Sequence, residues 1–380
     1  MTEWKEYKFS DFIDINPLVR IPKNIPISFV EMKDLDPSMR YCESSQLKLL
    51  SGGSRFINGD TLFARITPCL ENGKICQVRN LQNNVGFGST EFHVLRGKEG
   101  VSDTNFVYYL SRWNEVRDHA EHNMEGSSGR QRVPKEAFDT LYLPLPPLPE
   151  QIRIASILSS LDDKIDLLHR ENKTLEAMAE TLFRQWFIEE AKEDWEEVSL
   201  TRVANFLNGL ACQKFPPKNE IEKLPVLKIR ELSNGIGDDS DYATTDVEKE
   251  YIVHAGDVIF AWSASLMVKI WDGRDCILNQ HLFKVTSEKY PKWFYYFWCK
   301  HHLDEFISIA QSHATTMGHI KRKDLENAIV LVPTSSELKT MTEQIEYLLQ
   351  KIENNNKQIQ TLIQQRDALL PKLMSGEVKI

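Results

Sequence analysis

Two loops of this 380-residue chain carry side chains suited to binding phosphates and nucleic-acid bases. The first, "GSSGRQRVPK" at 126–135, combines small residues with Arg130, Arg132 and Lys135 and contains no acid. The second, "HATTMGHIKRK" at 313–323, carries Thr315, Thr316, His319, Lys321, Arg322 and Lys323. Ser and Thr hydroxyls bond phosphate oxygens, and Arg can also fork onto guanine. Either loop alone is equally well explained as a solvated basic surface, but their recurrence at matching places favours contact with nucleic acid.

Four residues outside these loops are weaker candidates for the same contact. Arg65 and Trp262 each follow a Gly-Asp turn and a short apolar run, "GDTLFAR" and "GDVIFAW". A structural ion pair explains Arg65 equally well. Lys228 and Arg230 alternate with apolar residues in "VLKIREL", which predicts that both lie on one face of a strand.

No constellation of residues for catalysis accompanies these loops. The sequence has no G-x-x-x-x-G-K-[ST] phosphate loop, and "FPPK" at 215–218 lacks the first residue of an amino-methyltransferase motif. The six cysteines form no C-x-x-C pair, so we expect free thiols in a reducing cytoplasm rather than a metal site. The sequence therefore predicts a protein that is not an enzyme and has no catalytic, cofactor or metal site of its own.

The net charge of −9 is concentrated in the middle of the chain. Residues 148–200 carry 13 acidic and 6 basic residues, whereas the flanking parts are nearly neutral. A local basic patch on either flank is therefore compatible with phosphate binding. The sequence has no run of 18 apolar residues, so we expect no membrane span.

The chain repeats itself once, and this duplication must position the candidate residues. Five pairs of segments match in order at offsets between 187 and 197 residues. They include "NGDTLFAR" at 58–65 with "AGDVIFAW" at 255–262, and "VPKEAFDTLYLPLP" at 133–146 with "IKRKDLENAIVLVP" at 320–333. A slowly drifting offset is typical of a duplicated unit with loop insertions and deletions.

The residue pattern of each repeat predicts a mixed region of strands and helices. This region ends at prolines, and a long helix follows it. The fold class is therefore α+β: two similar mixed α/β domains, two long antiparallel coiled-coil helices, and an internal pseudo-two-fold repeat. We place the mixed domains at 1–147 and 191–334, and the long helices at 148–190 and 335–380.

Both long helices carry coiled-coil seams, in which apolar residues alternate four and three positions apart. Asn172 interrupts the first seam, and Asn355 and Arg366 interrupt the second. A helix of about 33 residues is ~50 Å long. Because the two seams match, the helices can pack on each other, and the compact arrangement is antiparallel. Pairing Asn172 with Asn355 satisfies both buried amides and selects one register. That register places Arg366 opposite Leu161, with its guanidinium expected to reach solvent.

The chain resembles the DNA-specificity subunit of type I restriction-modification systems over essentially its whole length. The resemblance rests on "LPPLPEQIRIASIL" followed by "LDDKIDLLHREN", on the duplicated "GD-x-[LI]-F-A" turns, and on the closing "LLPKLMSGEV". It implies two target-recognition domains that each read half of a bipartite site in double-stranded DNA. It also implies spacer helices that dock two methyltransferase subunits, with motor-nuclease subunits joining for restriction. S-adenosylmethionine and ATP would then bind to those partners, in the cytoplasm.

A coiled-coil scaffold that carries two non-DNA ligand-binding modules stays open as an alternative. Such a scaffold needs no basic loops, and its binding would be nearly independent of salt. DNA binding weakens steeply as salt rises, because bound counterions are released.

Overall fold

A computed structural model describes residues 4–22, 24–127, 129–237, 239–312, 318–378 and 380. The chain divides into two compact units. Unit 1 lies within residues 1–169 and 358–380, and unit 2 lies within residues 170–357. Each unit combines one mixed α/β region with a segment of both long helices.

The mixed region of unit 1 contains eleven strands and three helices among its described residues. The strands are β1 (Lys5–Lys8), β2 (Ile13–Ile15), β3 (Ile27–Val30), β4 (Tyr41–Cys42), β5 (Gln46–Lys48), β6 (Ser54–Ile57), β7 (Thr61–Ala64), β8 (Ile75–Val78), β9 (Val85–Gly88), β10 (Phe92–Gly97) and β11 (Tyr142–Leu145). The helices are α1 (Phe9–Phe12), α2 (Thr104–Arg112) and α3 (Asn114–His122). The long helix α4 (Leu148–Arg184) follows and ends in a π-helical turn at Gln185–Glu189.

The described part of the mixed region of unit 2 contains ten strands and five helices. The strands are β12 (Glu196–Ser199), β13 (Asn205–Asn208), β14 (Lys223–Leu227), β15 (Tyr242–Thr244), β16 (Ile252–Val253), β17 (Val258–Ala261), β18 (Met267–Ile270), β19 (Cys276–Leu278), β20 (Leu282–Thr286) and β21 (Ile329–Val332). The helices are α5 (Leu200–Val203), α6 (Ile229–Asn234), α7 (Lys292–His301), α8 (Leu303–Ser312) and α9 (Arg322–Asn327). The second long helix is α10 (Ser335–Met374).

The strand pairing confirms the internal repeat. A central sheet has the order β2-β10-β7-β8-β4 in unit 1 and β13-β20-β17-β18 in unit 2, antiparallel throughout except for the added β4. A second sheet has the order β5-β3-β9-β6 in unit 1 and β15-β14-β19-β16 in unit 2. In both second sheets the two central strands run parallel and the outer strands run antiparallel to them. The first and last strands of each mixed region also pair, β1 with β11 and β12 with β21.

Aromatic side chains fill the core of each unit. In unit 1, Phe106 and Tyr109 of α2 lie in one buried cluster with Leu158 of α4. In unit 2, the rings of Trp298 on α7 and Phe187 in the π-helical turn lie 5.4 Å apart in the corresponding cluster. Burying such large rings is the main source of stability for both packings. The aromatic residues of α2 and α7 therefore belong to the core of their units.

The two long helices pack against each other within each unit. In unit 1, Ile165 and Leu168 of α4 form a buried cluster with Ile359 of α10. Residue numbers rise along α4 as they fall along α10, so the segments run antiparallel, as the matched seams predict. At 1.5 Å per residue, the 37 residues of α4 extend over ~55 Å. None of the helices among the described residues has the length and apolar character needed to cross a membrane.

Candidate nucleic-acid interface

In unit 1, the segment that follows β7 pairs with the end of the first basic loop. The backbone N–H of Val133 donates to the carbonyl of Arg65 at 2.8 Å, and Ile66 and Arg132 form an antiparallel bridge. The backbone N–H of Arg65 donates in turn to the carbonyl of Glu91 at 3.0 Å. These main-chain bonds bring together side chains that are distant in sequence.

Unit 2 repeats this arrangement. The backbone N–H of Ile320 donates to the carbonyl of Trp262 at 3.1 Å, and that of Trp262 donates to the carbonyl of His281 at 3.3 Å. Ser263 and His319 form the antiparallel bridge. Trp262, His281 and His319 of unit 2 correspond in strand register to Arg65, Glu91 and Arg132 of unit 1, respectively. We call these segments the contact frame: 65–67, 91–93 and 131–133 in unit 1, and 262–264, 281–283 and 318–320 in unit 2.

The contact frame of unit 1 is charged. Arg132 Nη2 lies 2.8 Å from Glu91 Oε1, and its Nε donates to Oε2 at 2.9 Å. The hydrogen bonds from Arg132, and the nearby charge of Arg65, lower the pKa of the Glu91 carboxyl. The Nε of Arg65 is buried and has no hydrogen-bond partner. A buried donor without a partner is costly, so a ligand that accepts from Arg65 gains by satisfying it.

Arg130 and Lys135 are exposed on either side of the paired segment. Glu125 and Arg132 exchange two backbone hydrogen bonds of 2.9 and 2.8 Å, which fix the base of this loop. Arg130 follows Gly129 within the loop, and Lys135 begins the 3₁₀ turn Lys135–Asp139. Both cations therefore project from a loop whose base is fixed to the contact frame.

Sequence reasoning missed His93, which fastens the loop. Its side chain is 1% exposed, and Nε2 lies 2.9 Å from the Val133 carbonyl while Nδ1 lies 3.2 Å from Asn16 Nδ2. Burial lowers the pKa of His93 to about 4, so the ring is neutral at pH 7. It then donates through Nε2–H to Val133 and accepts from Asn16. The one signal in the sequence was a histidine inside an apolar strand.

The second basic loop is only partly described. Lys321, Arg322 and Lys323 are exposed around the first turn of α9, where the Asp324 carboxylate accepts from the backbone N–H of Lys321 at 2.7 Å. Thr315 and Thr316 lie outside the described residues.

The strand predicted for Lys228 and Arg230 is wrong. Strand β14 ends at Leu227, and Arg230 lies in helix α6, which Lys228 immediately precedes. The apolar residues around them alternate over too few positions to separate a strand from the first turn of a helix. Acids also hold both cations: Lys228 pairs with Asp241, and Arg230 pairs with Glu231 and Asp239. These contacts of Arg230 are 2.6 and 2.5 Å long.

Asn172 and Asn355 lie in one layer between the long helices, within unit 2. Nδ2 of the buried Asn355 donates to Oδ1 of Asn172 at 2.8 Å and to Glu171 Oε2 at 3.1 Å. Nδ2 of Asn172 donates to Oδ1 of Asn356 at 2.6 Å. The side-chain amides thus satisfy one another, as a buried polar pair requires.

The expectation that the Arg366 guanidinium reaches solvent is wrong. Arg366 is 4% exposed, and its Nη1 lies 2.9 Å from Oδ1 of Asp162, which is 3% exposed. The hydroxyl of Tyr109 donates to the other oxygen of Asp162 at 2.7 Å. Asp162 adjoins the seam position Leu161 but is not itself a seam residue, so the seam pattern did not reveal this partner.

Comparison with known proteins gives one family. The family described as "Type I restriction modification DNA specificity domain" matches residues 1–177 and 192–365. The chain is 26% identical over 310 residues to the type I restriction enzyme MjaIX specificity subunit of Methanocaldococcus jannaschii, covering 74% of this chain and 71% of that protein. It is 29% identical over 209 residues to the EcoEI specificity subunit of Escherichia coli, covering 52% of this chain and 35% of that protein.

A solved structure shows the same fold. It is the type I restriction-modification S subunit from M. genitalium, with a TM-score of 0.51 and 14% identity over 98% of this chain and 96% of that one. The family match covers both repeats, in keeping with the duplicated strand order of the two units. The chain therefore belongs to the type I restriction-modification DNA specificity family.

Proposed function

We propose that this chain reads a bipartite site in duplex DNA, with one half-site for each unit. The observation that carries the proposal is the contact frame, which main-chain hydrogen bonds build in the same way in both units. Because main-chain hydrogen bonds hold the frame, it fixes the position of each side chain regardless of residue type. Those side chains are charged in unit 1 and aromatic in unit 2, so the two half-sites differ in base sequence.

In unit 1, Arg130 and Lys135 bind phosphates, and Arg132 reads a base edge. The carboxylate of Glu91 holds the Arg132 fork in one orientation, which favours bidentate contact with a single base. Arg65 supplies the buried donor described above. Phosphate contacts fix the register of the protein on DNA, and the base contacts then select the sequence.

In unit 2, the exposed cations Lys321, Arg322 and Lys323 take the phosphate role. His319 and Trp262 contact the bases, and Thr315 and Thr316 bind phosphates through their hydroxyls. Lys228 and Arg230 contribute less to binding, because their acidic partners must first release them.

The long helices set the gap between the half-sites and dock two methyltransferase subunits, and motor-nuclease subunits join that assembly. This chain supplies recognition and no catalysis. S-adenosylmethionine and ATP bind to the partners. Because the target is the cell's own DNA together with these partners, the protein acts in the cytoplasm.

Methylome sequencing of cells that express this chain with its methyltransferase tests the proposal. We expect one bipartite motif with two different halves and a fixed unread gap. The chain purified alone should transfer no methyl groups. A continuous motif, or a motif that is unchanged when the chain is deleted, contradicts the proposal.

Changing Arg130 and Arg132 to Ala tests the contact frame of unit 1. Binding should weaken by about 1–3 kcal/mol for each residue that forks onto a base, and selectivity should relax only in the first half-site. Lys33→Ala removes an exposed cation outside the frame and serves as the control. If affinity, salt dependence and site preference all stay unchanged, the loop is a solvated surface. Binding that is independent of salt favours the scaffold instead.

A further inference from the structure

Unit 2 contains an open cleft beside its contact frame. The cleft has a volume of about 660 Å³, which lies within the range of ~300–1,000 Å³ for sites that hold small molecules. Helix α5, strand β13 and the segment after β20 form its walls, together with Trp262 and the first turn of α9. It is therefore continuous with the surface that we assign to DNA.

Three aromatic rings form one side of this cleft. The rings of Trp262 and Phe283 are stacked at 5.6 Å with an interplanar angle of 26°, and Phe206 meets Phe283 edge-on at 5.8 Å. Trp262 Nε1 donates to Asn208 Oδ1 at 3.1 Å, which fixes the plane of the indole. All three rings are only half-buried, whereas the aromatic residues of α7 are core. They pack against the core of unit 2 on one side and leave ring surface open to the cleft on the other.

Cations surround the aromatic side of the cleft. Arg202, Lys289 and Arg322 line it with exposed side chains, and Glu288 is the one acid among those lining residues that the structure describes. Arg202 lies 3.7 Å from Glu196, in a pair exposed on both sides that competes weakly with another anion. Ring faces beside a cationic edge are the combination that binds a base together with its phosphate.

A base within a duplex hides both faces against its neighbours, so only a base outside the stack can lie on an aromatic ring. Extruding one base from a duplex costs only a few kcal/mol, which stacking on a ring and a phosphate contact can offset. We propose that the cleft of unit 2 holds one unstacked nucleobase of the bound DNA, stacked against Trp262 with its phosphate at the cationic edge. This inference rests on the DNA-reading function proposed above.

The contact frame of unit 1 has no counterpart of this aromatic surface. Arg65, His93 and Ile15 occupy the places of Trp262, Phe283 and Phe206. His93 and Ile15 are buried, and Arg65 is a hydrogen-bond donor. The inference therefore concerns the cleft of unit 2 and does not extend to the contact frame of unit 1.

Single mismatches distinguish an unstacked base from one that is read in the groove. A mismatch costs about 1–3 kcal/mol where a stacked pair is read, but it lowers the cost of extruding a base. The experiment uses the complex of this chain with its methyltransferase, and duplexes that carry the mapped site. Within the unit 2 half-site, one base of one strand is changed at a time, first on one strand and then on the other, so that each duplex carries a single mismatch. We expect tighter binding at one position outside the methylated pair, and weaker or unchanged binding elsewhere.

Trp262→Leu should abolish that gain, because it keeps apolar volume against Phe283 but removes the ring face. It should also weaken binding of the fully paired site by about 5- to 150-fold, the range for a lost base–aromatic stack. Trp262→Phe should retain the gain. Ile221→Ala removes an apolar side chain of unit 2 that is 91% exposed and lies outside both the cleft and the long helices, and it should change nothing. A mismatch that frees the methylated base also tightens binding, but that gain should not depend on Trp262.

The outcomes separate this inference from the proposed function. If the complex binds and methylates a bipartite site but no mismatch gives a gain that depends on Trp262, only the cleft is wrongly assigned. If Trp262→Leu fails to fold, the mismatch scan of the unaltered complex still decides: a loss of affinity at every position outside the methylated pair overturns the inference. If the complex shows no salt-dependent preference for a bipartite site, the proposed function itself fails.

Discussion

Replacing Arg366 with Met should destabilise unit 1 by about 3–5 kcal/mol, the usual cost of removing one partner from a buried ion pair. The guanidinium lies 2.9 Å from Oδ1 of Asp162, and both residues are less than 5% exposed. Met keeps most of the apolar stem of Arg366, so the substitution mainly leaves the Asp162 charge without its cation. Burial raises the pKa of Tyr109, and the charge of Asp162 raises it further, so the phenol stays protonated and continues to donate to the carboxylate.

A second variant separates the charge from the packing. Asp162→Asn combined with Arg366→Met removes both charges, while the amide oxygen still accepts from Tyr109. If the uncompensated charge causes the loss, this double variant should recover about 2 kcal/mol or more of it. Lys8→Met serves as the control. It breaks the solvent-exposed pair with Asp139 at 3.2 Å and should cost far less than Arg366→Met, because water and salt screen an exposed pair.

Hydrogen exchange in increasing urea is the appropriate assay, because a chain with two compact units need not unfold in a single transition. Peptides covering residues 155–168 and 360–374 report on unit 1 alone. Two results refute the reasoning. If Arg366→Met costs no more than Lys8→Met, the buried pair contributes nothing. If the double variant is no more stable than Arg366→Met, the loss comes from the packing of the arginine stem.

Four further predictions concern the contact frame and the helices. The free energy of unfolding of unit 1 should fall by about 3 kcal/mol as the pH is lowered from 6.5 to about 4, because His93 binds a proton in the unfolded chain but stays neutral when buried. In urea titrations, His93→Gln should show a weaker dependence of this free energy on pH. Glu91→Gln should release Arg132 and steepen the slope of log K against log salt by about 0.9, measured on unrelated duplexes. Asn355→Leu should cost about 1–3 kcal/mol because Asn172 Oδ1 loses its donor, and combining it with Asn172→Leu should regain part of that cost; equal costs for the single and double variants refute the pairing. One heptad inserted into each long helix adds ~10 Å, so methylome sequencing should show a gap longer by about 3 base pairs; an unchanged gap means that the helices do not set it.

The sequence predicted those features that depend on periodicity or repetition. Both long helices follow from the alternation of four and three, and the duplicated sheets follow from five matches in constant order. The pairing of residues 65–67 with 131–133 did not follow, because nothing local indicates which distant segment completes a sheet edge. The partners of charged residues were missed for the same reason: Glu91 holds Arg132 from 41 positions away, and Asp162 holds Arg366 from 204 positions away.

Under the proposed function, the contact frame lets two units with one fold read different half-sites. Its main-chain bonds, such as Val133 to Arg65 and Ile320 to Trp262, are indifferent to the side chains that these residues carry. A change of side chain on the frame therefore leaves the sheet intact while it replaces a charged contact with an aromatic one. Buried groups such as His93 hold the loop in place, so a change of side chain at the exposed positions does not release it. Recognition can thus diverge between the repeats without divergence of the fold.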